Sequence, residues 1–183
     1  MNSKQKRVVI TSAKPDDAWN IVNVLHKTWL ATYPNEELGI TKEGIEESYK
    51  ESFTEENLNK LANKIAQALG NEKRLVARVG DDIVGVVTIV RNNENNQLRT
   101  IYVLPEFQGL GIGKKMWEEA KKFCDSTKDI IVQVVTYNQN TIEFYKKLGF
   151  IDTGKRFSDK NWRAKKMDVD IPQMEMVIKA PIR

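Results

Sequence analysis

The stretch Val103-Leu-Pro-Glu-Phe-Gln-Gly-Leu-Gly-Ile-Gly-Lys-Lys115 places three glycines at alternate positions between a strand pattern and a helix pattern. Glycine lets the backbone turn sharply and approach a ligand closely. The exposed N–H groups at the start of the helix, together with the helix dipole, suit an anion such as phosphate. Lys114 and Lys115 add positive charge nearby. The stretch therefore predicts a phosphate-binding turn between a strand and a helix.

Three kinds of phosphate site use a glycine-rich turn of this type, and the surrounding residues disfavour two of them. A Walker loop needs Ser or Thr after its Gly-Lys pair, whereas Lys115 follows Lys114 here. A dinucleotide fingerprint has the spacing G-x-G-x-x-G and an acidic residue at the end of the next strand. Here the spacing is G-x-G-x-G, and the next strand ends in Val134-Val135-Thr136. A site for the pyrophosphate of coenzyme A and a tight turn without a ligand both stay open.

Strand and helix patterns alternate around this turn, over a length that suits a single domain of residues 1–183. Strand patterns occupy Val8–Ser12, Leu75–Val79, Ile83–Val90, Leu98–Val103, Ile130–Thr136, Phe150–Phe157 and Met174–Ile178. Helix patterns begin near Pro15 and Thr41, and they cover Thr54–Leu69, Gly111–Ser126 and Asn138–Leu148. Because the two kinds of element are interspersed, the pattern predicts an α/β or α+β domain.

A second motif follows the strand after the glycine turn: Tyr137-Asn138-Gln-Asn-Thr-Ile-Glu-Phe-Tyr145-Lys-Lys-Leu-Gly-Phe150. The Gln-x-x-Gly-x-Gly turn and this Asn…Phe-Tyr-x-x-x-Gly-Phe helix, in this order, resemble the GNAT superfamily of N-acetyltransferases. The resemblance extends over roughly residues 73 to 157. It implies a GNAT-like acyl-CoA N-acyltransferase fold, with a mixed, mostly antiparallel sheet flanked by helices. It also implies acetyl-CoA as acyl donor and an amine of a small molecule or peptide as acceptor.

The resemblance assigns the donor site to two strands that diverge in this family, with coenzyme A between them. It implies that the main chain around Ile101, Tyr102 and Val103 holds the pantetheine and thioester. It implies that the pyrophosphate is held by the N–H groups of Gln108, Gly109, Leu110, Gly111, Ile112, Gly113 and Lys114. It also implies that the Asn138 side chain contacts the pantetheine arm. Residues 71–183 would then form the coenzyme-binding core and closing strands, and residues 1–70 the helices on the acceptor side.

The resemblance assigns the catalytic role to Tyr145, which lies close to the coenzyme sulfur in the family. From ordinary pKa values of ~10 for tyrosine and ~8.5 for a thiol, proton transfer to the thiolate is uphill by about 2 kcal/mol. Because a thiolate already leaves readily, this acid role is helpful rather than obligatory. A core role for Tyr145, with Gly149 ending the helix, is compatible with it.

The general base is not assigned by the sequence. Many members of the family carry a glutamate on the strand that corresponds to residues 97–103, where this chain has Gln-Leu-Arg-Thr-Ile-Tyr-Val. Glu94, Glu36 and Glu37 are the nearby alternatives. An amine with pKa ~10.4 costs about 4–5 kcal/mol to deprotonate at pH 7, and a peptide α-amine only about 1.4 kcal/mol. A site without a carboxylate base therefore suits a less basic amine, or one deprotonated through water.

Several other residues have two interpretations each. The resemblance implies that Trp29 and Tyr33 line the acceptor pocket, although ordinary packing explains them equally well. For His26, a structural role is favoured over that of a base. For Cys124, a core position is favoured over a nucleophile, because the residue shares a helix face with other apolar residues. The acid-rich residues 36–56 could attract a cationic amine or form a solvated face, and the basic residues 155–166 are likewise open to a binding or a solvated role.

Composition limits the remaining classes. The chain has one cysteine and one histidine, so we expect neither an internal disulfide nor a His/Cys metal site. It has no apolar run of the ~20 residues that a membrane helix needs, and no apolar leader. Its net charge of +4 comes without a basic, aromatic-interleaved stripe, so no nucleic acid is expected. We expect a cytoplasmic protein, and the resemblance allows a homodimer.

Two functions from other classes stay open. One is a non-catalytic coenzyme A or acyl-CoA binding module or sensor, which the missing strand carboxylate favours and the intact Tyr145 disfavours. The other is a nucleotide-dependent protein that uses the same glycine turn.

Overall fold

The computed structural model describes residues 7–67, 70–159 and 162–182. The strands are β1 (Val8–Ser12), β2 (Glu72–Val79), β3 (Asp82–Arg91), β4 (Asn96–Val103), β5 (Ile130–Val135), β6 (Ile151–Asp159) and β7 (Ile171–Ile178). They form a seven-stranded sheet in the order β1-β2-β3-β4-β5-β7-β6. Neighbouring strands are antiparallel except β4 and β5, which are parallel. The mixed, mostly antiparallel sheet predicted from the sequence is confirmed.

Helices cover both faces of this sheet. They are α1 (Ala18–Thr32), α2 (Lys42–Lys50), α3 (Glu55–Gln67), α4 (Ile112–Lys121), α5 (Gln139–Lys147) and α6 (Trp162–Met167). Gly85 pairs with Val103 across β3 and β4, and a Cβ on Gly85 would lie only 3.0 Å from the Met116 sulfur of α4. Tyr102, the residue before Val103, points to the opposite face of the sheet. There its hydroxyl contacts the Tyr33 hydroxyl at the end of α1. Helices α1 and α4 therefore lie on opposite faces.

The central strand shows why the sheet needs two helical layers. Every residue of β3 from Ile83 to Val90 is buried, as expected for a strand covered on both faces. Two apolar clusters form the core. One contains the centre of the sheet and α4, and the second lies between α1, α2 and α6. None of the helices within the described ranges combines the length and apolar character that a membrane crossing requires.

The structure shortens one predicted helix. Helix α4 ends at Lys121 rather than at the predicted Ser126, because a buried asparagine of β4 forms hydrogen bonds with the backbone of the loop that follows the helix. The Asn96 side chain accepts a hydrogen bond from the Asp125 N–H at 2.9 Å and donates to the carbonyls of Asp125, Lys128 and Asp129. These bonds satisfy backbone groups that would otherwise be buried without partners.

The segment between β6 and β7 contains an element that the sequence analysis did not predict. Helix α6 packs against α2, with Ala164 buried between them, and Lys166 forms an ion pair with Glu51 at 2.8 Å. Strand β7 also begins at Ile171, earlier than the predicted Met174. At the end of α3, the predicted helix residues Ala68 and Leu69 lie outside the described residues.

Candidate active site

A cleft opens where β4 and β5 separate. Their parallel pairing ends at Leu98 and Val132, so neither strand is bonded to the other beyond this point. Arg99 is an extra residue in β4, because Thr88 of β3 pairs with Thr100 while Ile89 pairs with Leu98. A bulge of this kind bends the strand and increases its twist. The resulting cleft has a volume of about 570 Å³.

The main chain of β4 directs polar groups into this cleft. The N–H of Leu104 donates to the carbonyl of Val84 at 2.8 Å. Because hydrogen-bonding direction alternates along an antiparallel strand, Tyr102 also faces β3, whereas Ile101 and Val103 face β5. No pairing with β5 reaches these residues, so their N–H groups are available to a ligand. The Val103 carbonyl accepts a hydrogen bond from the Gln108 side chain at 2.9 Å.

The glycine turn forms the end of the cleft nearest to α4. Gly111 caps α4 with a φ of +75°, in the left-handed region that favours glycine. At Gly113 the helix approaches α5 so closely that a Cβ would lie 3.1 Å from the Phe144 ring. The first turn of a helix has N–H groups without intrahelical partners, and here residues 111–114 of that turn line the cleft. This arrangement suits an anion at the start of α4.

The charged side chains among the described residues that line the cleft are all positive. Its lining includes Arg99, Lys114 and Lys147, and no described Asp or Glu contributes to it. Glu36, Glu37 and Glu94, the three carboxylates considered from the sequence, are exposed and lie outside the lining. The described residues also offer no group of three His, Cys, Asp or Glu side chains that could hold a metal ion.

Two tyrosine hydroxyls lie on the α1 side of the cleft. Tyr33 and Tyr102 share a hydrogen bond of 2.8 Å between their hydroxyls, and Tyr137 donates to the Tyr33 carbonyl at 3.0 Å. Burial, followed by the effect of Tyr102, raises the pKa of Tyr33 well above its ordinary value. Burial raises the pKa of Tyr137 to about 12. Both phenols therefore stay neutral at physiological pH.

Tyr145 lies in α5 and lines the cleft while most of its ring is buried. The ring packs edge-on against Phe144 and Phe150, with centroid distances of 5.4 and 5.5 Å. Burial raises the pKa of Tyr145 well above its ordinary range, and Tyr102 raises it further. The hydroxyl is therefore a hydrogen-bond donor that holds its proton firmly. The packed role and the cleft-lining role considered from the sequence are thus both compatible with its position.

Asn138 lines the cleft and also begins α5. Its side-chain oxygen accepts a hydrogen bond from the Thr141 N–H at 3.0 Å, which is the geometry of a helix N-cap. The side-chain NH₂ remains as a donor. The sequence analysis predicted a ligand contact for this residue and did not anticipate the cap.

The structure brings together most of the residues predicted from the sequence. Those that line the cleft are Tyr33, Ile101, Tyr102, Val103, Gln108, Gly109, Gly111, Ile112, Gly113, Lys114, Asn138 and Tyr145. Leu110 is 64% exposed and lies outside the lining, as does Trp29, which is buried and stacks on Tyr33 with a centroid distance of 4.2 Å. Trp29 therefore packs against Tyr33 and does not itself line the cleft.

His26 and Cys124 lie away from the cleft. The His26 ring packs against Tyr49 and Phe53, with centroid distances of 4.8 and 5.6 Å. Cys124 packs against the larger apolar cluster, and burial raises the pKa of its thiol to about 11. Both positions agree with the structural roles favoured from the sequence.

The sequence analysis missed several polar residues of the cleft: Thr28, Thr32, Arg99, Thr100, Gln133, Asn140, Thr141 and Lys147. A polar residue within an otherwise apolar strand, such as Gln133 in β5, was the available signal. Arg99 and Thr100 offered no comparable signal, because the bulge that places them depends on the pairing with β3.

Comparison with known proteins relates most of this chain to one family. The family model described as an acetyltransferase (GNAT) domain matches residues 31–171. The probable N-acetyltransferase san of Drosophila melanogaster is 34% identical over 91 residues, which cover 45% of this chain and 50% of that protein. The chain therefore spans about half the length of this curated relative.

Solved structures show the same fold over almost the whole chain. The PaiA N-acetyltransferase from Thermoplasma acidophilum, in complex with coenzyme A, has a TM-score of 0.70 at 21% identity, covering 92% of this chain and 98% of that one. A GNAT-family acetyltransferase from Streptococcus pneumoniae has a TM-score of 0.67 at 23% identity, covering 94% and 100%. At these identities the structures establish a shared fold.

Proposed function

This chain belongs to the GNAT acetyltransferase family, and from that premise we propose that it transfers an acetyl group from acetyl-CoA to a primary amine of a small molecule or peptide. The observation that carries the proposal is the cleft between β4 and β5, which connects the start of α4 with the Tyr145 hydroxyl. The family supports acetyl transfer in general, and the cleft supports the assignment of residues.

The dimensions and charge of the cleft fit acetyl-CoA. A volume of about 570 Å³ is within the usual range for a small-molecule site. The N–H groups at the start of α4, with Lys114 and Lys147, would hold the phosphates. The outward-facing N–H and C=O groups of Ile101 would pair with the amides of the pantetheine arm, much as a neighbouring strand would.

Acetyl-CoA supplies a thioester carbonyl that a neutral amine can attack directly. The N–H of Val103 would donate to the carbonyl oxygen as negative charge develops there. The Tyr145 hydroxyl would donate a hydrogen bond to the departing sulfur. Because its pKa is raised, this phenol stabilises the thiolate by hydrogen bonding more readily than by giving up its proton. No covalent bond to the protein is required, since the cleft holds both reactants together.

The amine must lose its proton without help from a carboxylate in the described cleft lining. The Tyr33 and Tyr102 hydroxyls would hold water next to the amine and pass the proton to solvent. An amine that is partly neutral at physiological pH meets this requirement with the smallest energetic cost. We therefore propose an acceptor of moderate basicity.

The test is thiol release from acetyl-CoA over a panel of amines, with Tyr145→Phe alongside the wild-type protein. A hydrogen bond to a charged group contributes about 1.5–3 kcal/mol, so kcat should fall roughly ten- to hundredfold while coenzyme affinity is kept. Tyr49→Phe is the matched control, because it removes a phenol hydroxyl from the second apolar cluster, outside the cleft. Because Tyr145 stays protonated in the wild-type protein and Tyr145→Phe has no phenol there, both proteins should show the same rise of rate with pH.

The second candidate is a non-catalytic coenzyme A or acyl-CoA binding module. The absence of a carboxylate from the described cleft lining favours it. Coenzyme binding without thiol release from any amine would support it against the enzyme. Equal turnover by Tyr145→Phe and wild type would instead remove Tyr145 from the mechanism.

A further inference from the structure

Arg99 lies at the point where the cleft begins, on the α1 face of the sheet. It directly follows Leu98, the last residue of β4 that pairs with β5. Its guanidinium lies 3.8 Å from Glu72, whose other oxygen is held by Arg74 at 3.0 Å. Arg74 also donates to Thr88, and Thr88 pairs with Thr100 on the same face as Tyr102. The guanidinium of Arg99 and the hydroxyl of Tyr102 are therefore on the same face.

The group formed by Glu72, Arg74 and Arg99 has one positive charge in excess. Arg74 already binds Glu72 at hydrogen-bond distance, and the side chains of these two residues are only 20% and 27% exposed. Arg99 is 51% exposed, is too far from Glu72 for a hydrogen bond, and donates weakly to Gln97 at 3.4 Å. Because a guanidinium has five N–H donors, Arg99 keeps most of its donors for a ligand.

The residue next to Arg99 has a polar group without a partner among the described residues. The Thr100 hydroxyl oxygen is buried and has no hydrogen-bond partner among the described residues, although Thr100 lines the cleft. A buried hydroxyl without a partner costs about 1–3 kcal/mol, so this place favours a polar ligand over an apolar one. Arg99 thus offers accessible donors on the acceptor side of the cleft, next to the buried hydroxyl of Thr100.

The phosphates of acetyl-CoA do not account for Arg99. The start of α4 and Lys114 lie after the C-terminal end of β4, whereas Arg99 is four residues before that end, or about 13 Å along a strand. The two sites are also on opposite faces, because α4 covers the face that Arg99 does not point to. Beyond its distant pairing with Glu72, Arg99 is therefore available to an anion other than these phosphates.

We propose that Arg99 binds a carboxylate of the acceptor, so that the substrate class is an amine that also carries a carboxylate, such as an amino acid or a short peptide. This proposal rests on the proposed acetyl transfer and names its acceptor. The planar guanidinium fork matches a carboxylate with two parallel hydrogen bonds. A polyamine would instead meet Arg99 as a like charge in a cleft whose described lining has no carboxylate.

The experiment compares amino acids with their primary amides, and short peptides with their C-terminal amides, as acceptors. For each pair, the ratio of kcat/KM for the acid to that for the amide is measured in wild type, Arg99→Gln and Arg99→Lys. The amine pKa differs within a pair but is the same for every variant, so its effect cancels between proteins. Lys147→Gln is the control, because it removes a cleft cation carried by α5, away from the acceptor side.

We expect the ratio to fall about tenfold to a hundredfold in Arg99→Gln and to recover partly in Arg99→Lys. Lys147→Gln should leave the ratio unchanged. An equal ratio in wild type and Arg99→Gln would overturn the proposal, as would the fastest turnover with a diamine. Calorimetric binding of the same acids and amides to the CoA-saturated protein is the second measurement. If no amine releases thiol, the proposed transfer fails, while the dependence of binding on Arg99 still decides this inference.

Discussion

Asn138 offers a test that separates a structural role from a ligand contact. Its side-chain oxygen caps α5 through the Thr141 N–H at 3.0 Å, and its NH₂ group is available to the cleft. Asn138→Ala removes both functions. Asn138→Asp keeps the oxygen that caps the helix but replaces the NH₂ donor by a second carboxylate oxygen.

The two variants have different expected effects. Loss of an N-cap costs about 1 kcal/mol, which lowers Tm by about 2–4 °C in a chain of this size. Asn138→Ala should show this loss, whereas Asn138→Asp should match or exceed wild-type stability because a carboxylate is favourable at a helix N-terminus. Both variants should bind coenzyme A more weakly, by up to about tenfold for one lost hydrogen bond. Asn138→Asp should be the weaker binder, since it adds negative charge beside an anionic ligand.

Thermal unfolding followed by circular dichroism gives Tm, and isothermal titration calorimetry gives the coenzyme affinity. Asn138→Ser is a useful third variant, because serine caps a helix well but has a shorter side chain. Wild-type affinity in Asn138→Asp would refute the ligand contact and leave Asn138 as a cap alone. An unchanged Tm in Asn138→Ala would refute the reasoning about the cap.

Two further predictions concern the glycine turn and the single cysteine. Gly111→Ala should cost about 1–2 kcal/mol in the free energy of unfolding, because its φ is +75°, and Gly111→Asn should cost less; equal losses in urea unfolding would contradict this. Since burial raises the pKa of the Cys124 thiol to about 11, iodoacetamide should alkylate the folded protein at pH 8 roughly a hundredfold more slowly than the unfolded chain. Similar rates by mass spectrometry would show that Cys124 is accessible and ionises normally.

The order of elements was predictable because it depends on local interactions. Strand and helix periods, the glycines of the turn and Asn138 at the start of a helix are all encoded within a few residues of one another. The pattern therefore predicted the order of strands and helices and the glycine turn at the start of α4, and the family resemblance implied a mixed, mostly antiparallel sheet. The structure confirms the turn and the sheet. It did not predict α6, where the basic composition of residues 155–166 obscured the helix that packs on α2.

The cleft itself depends on contacts between distant segments. Tyr33 and Tyr102 are 69 positions apart, and their hydroxyls meet only because α1 packs on the face of β4 from which Tyr102 projects. The predicted main-chain contacts of residues 101–103 likewise needed the pairing with β3 to show which N–H groups face the ligand. An alternating strand pattern gives the faces of a sheet but not the hydrogen-bonding direction of each residue.

The sequence by itself determined that this chain forms one strand-and-helix pattern around a glycine turn, because backbone geometry and hydrophobic period are local properties. The tertiary structure alone decided where β4 and β5 part, and therefore that Arg99 and Thr100 stand at the start of the cleft. The physical reason is that a strand's lateral pairing and its bulges are fixed by its neighbours. These neighbours come together only when the whole sheet has formed.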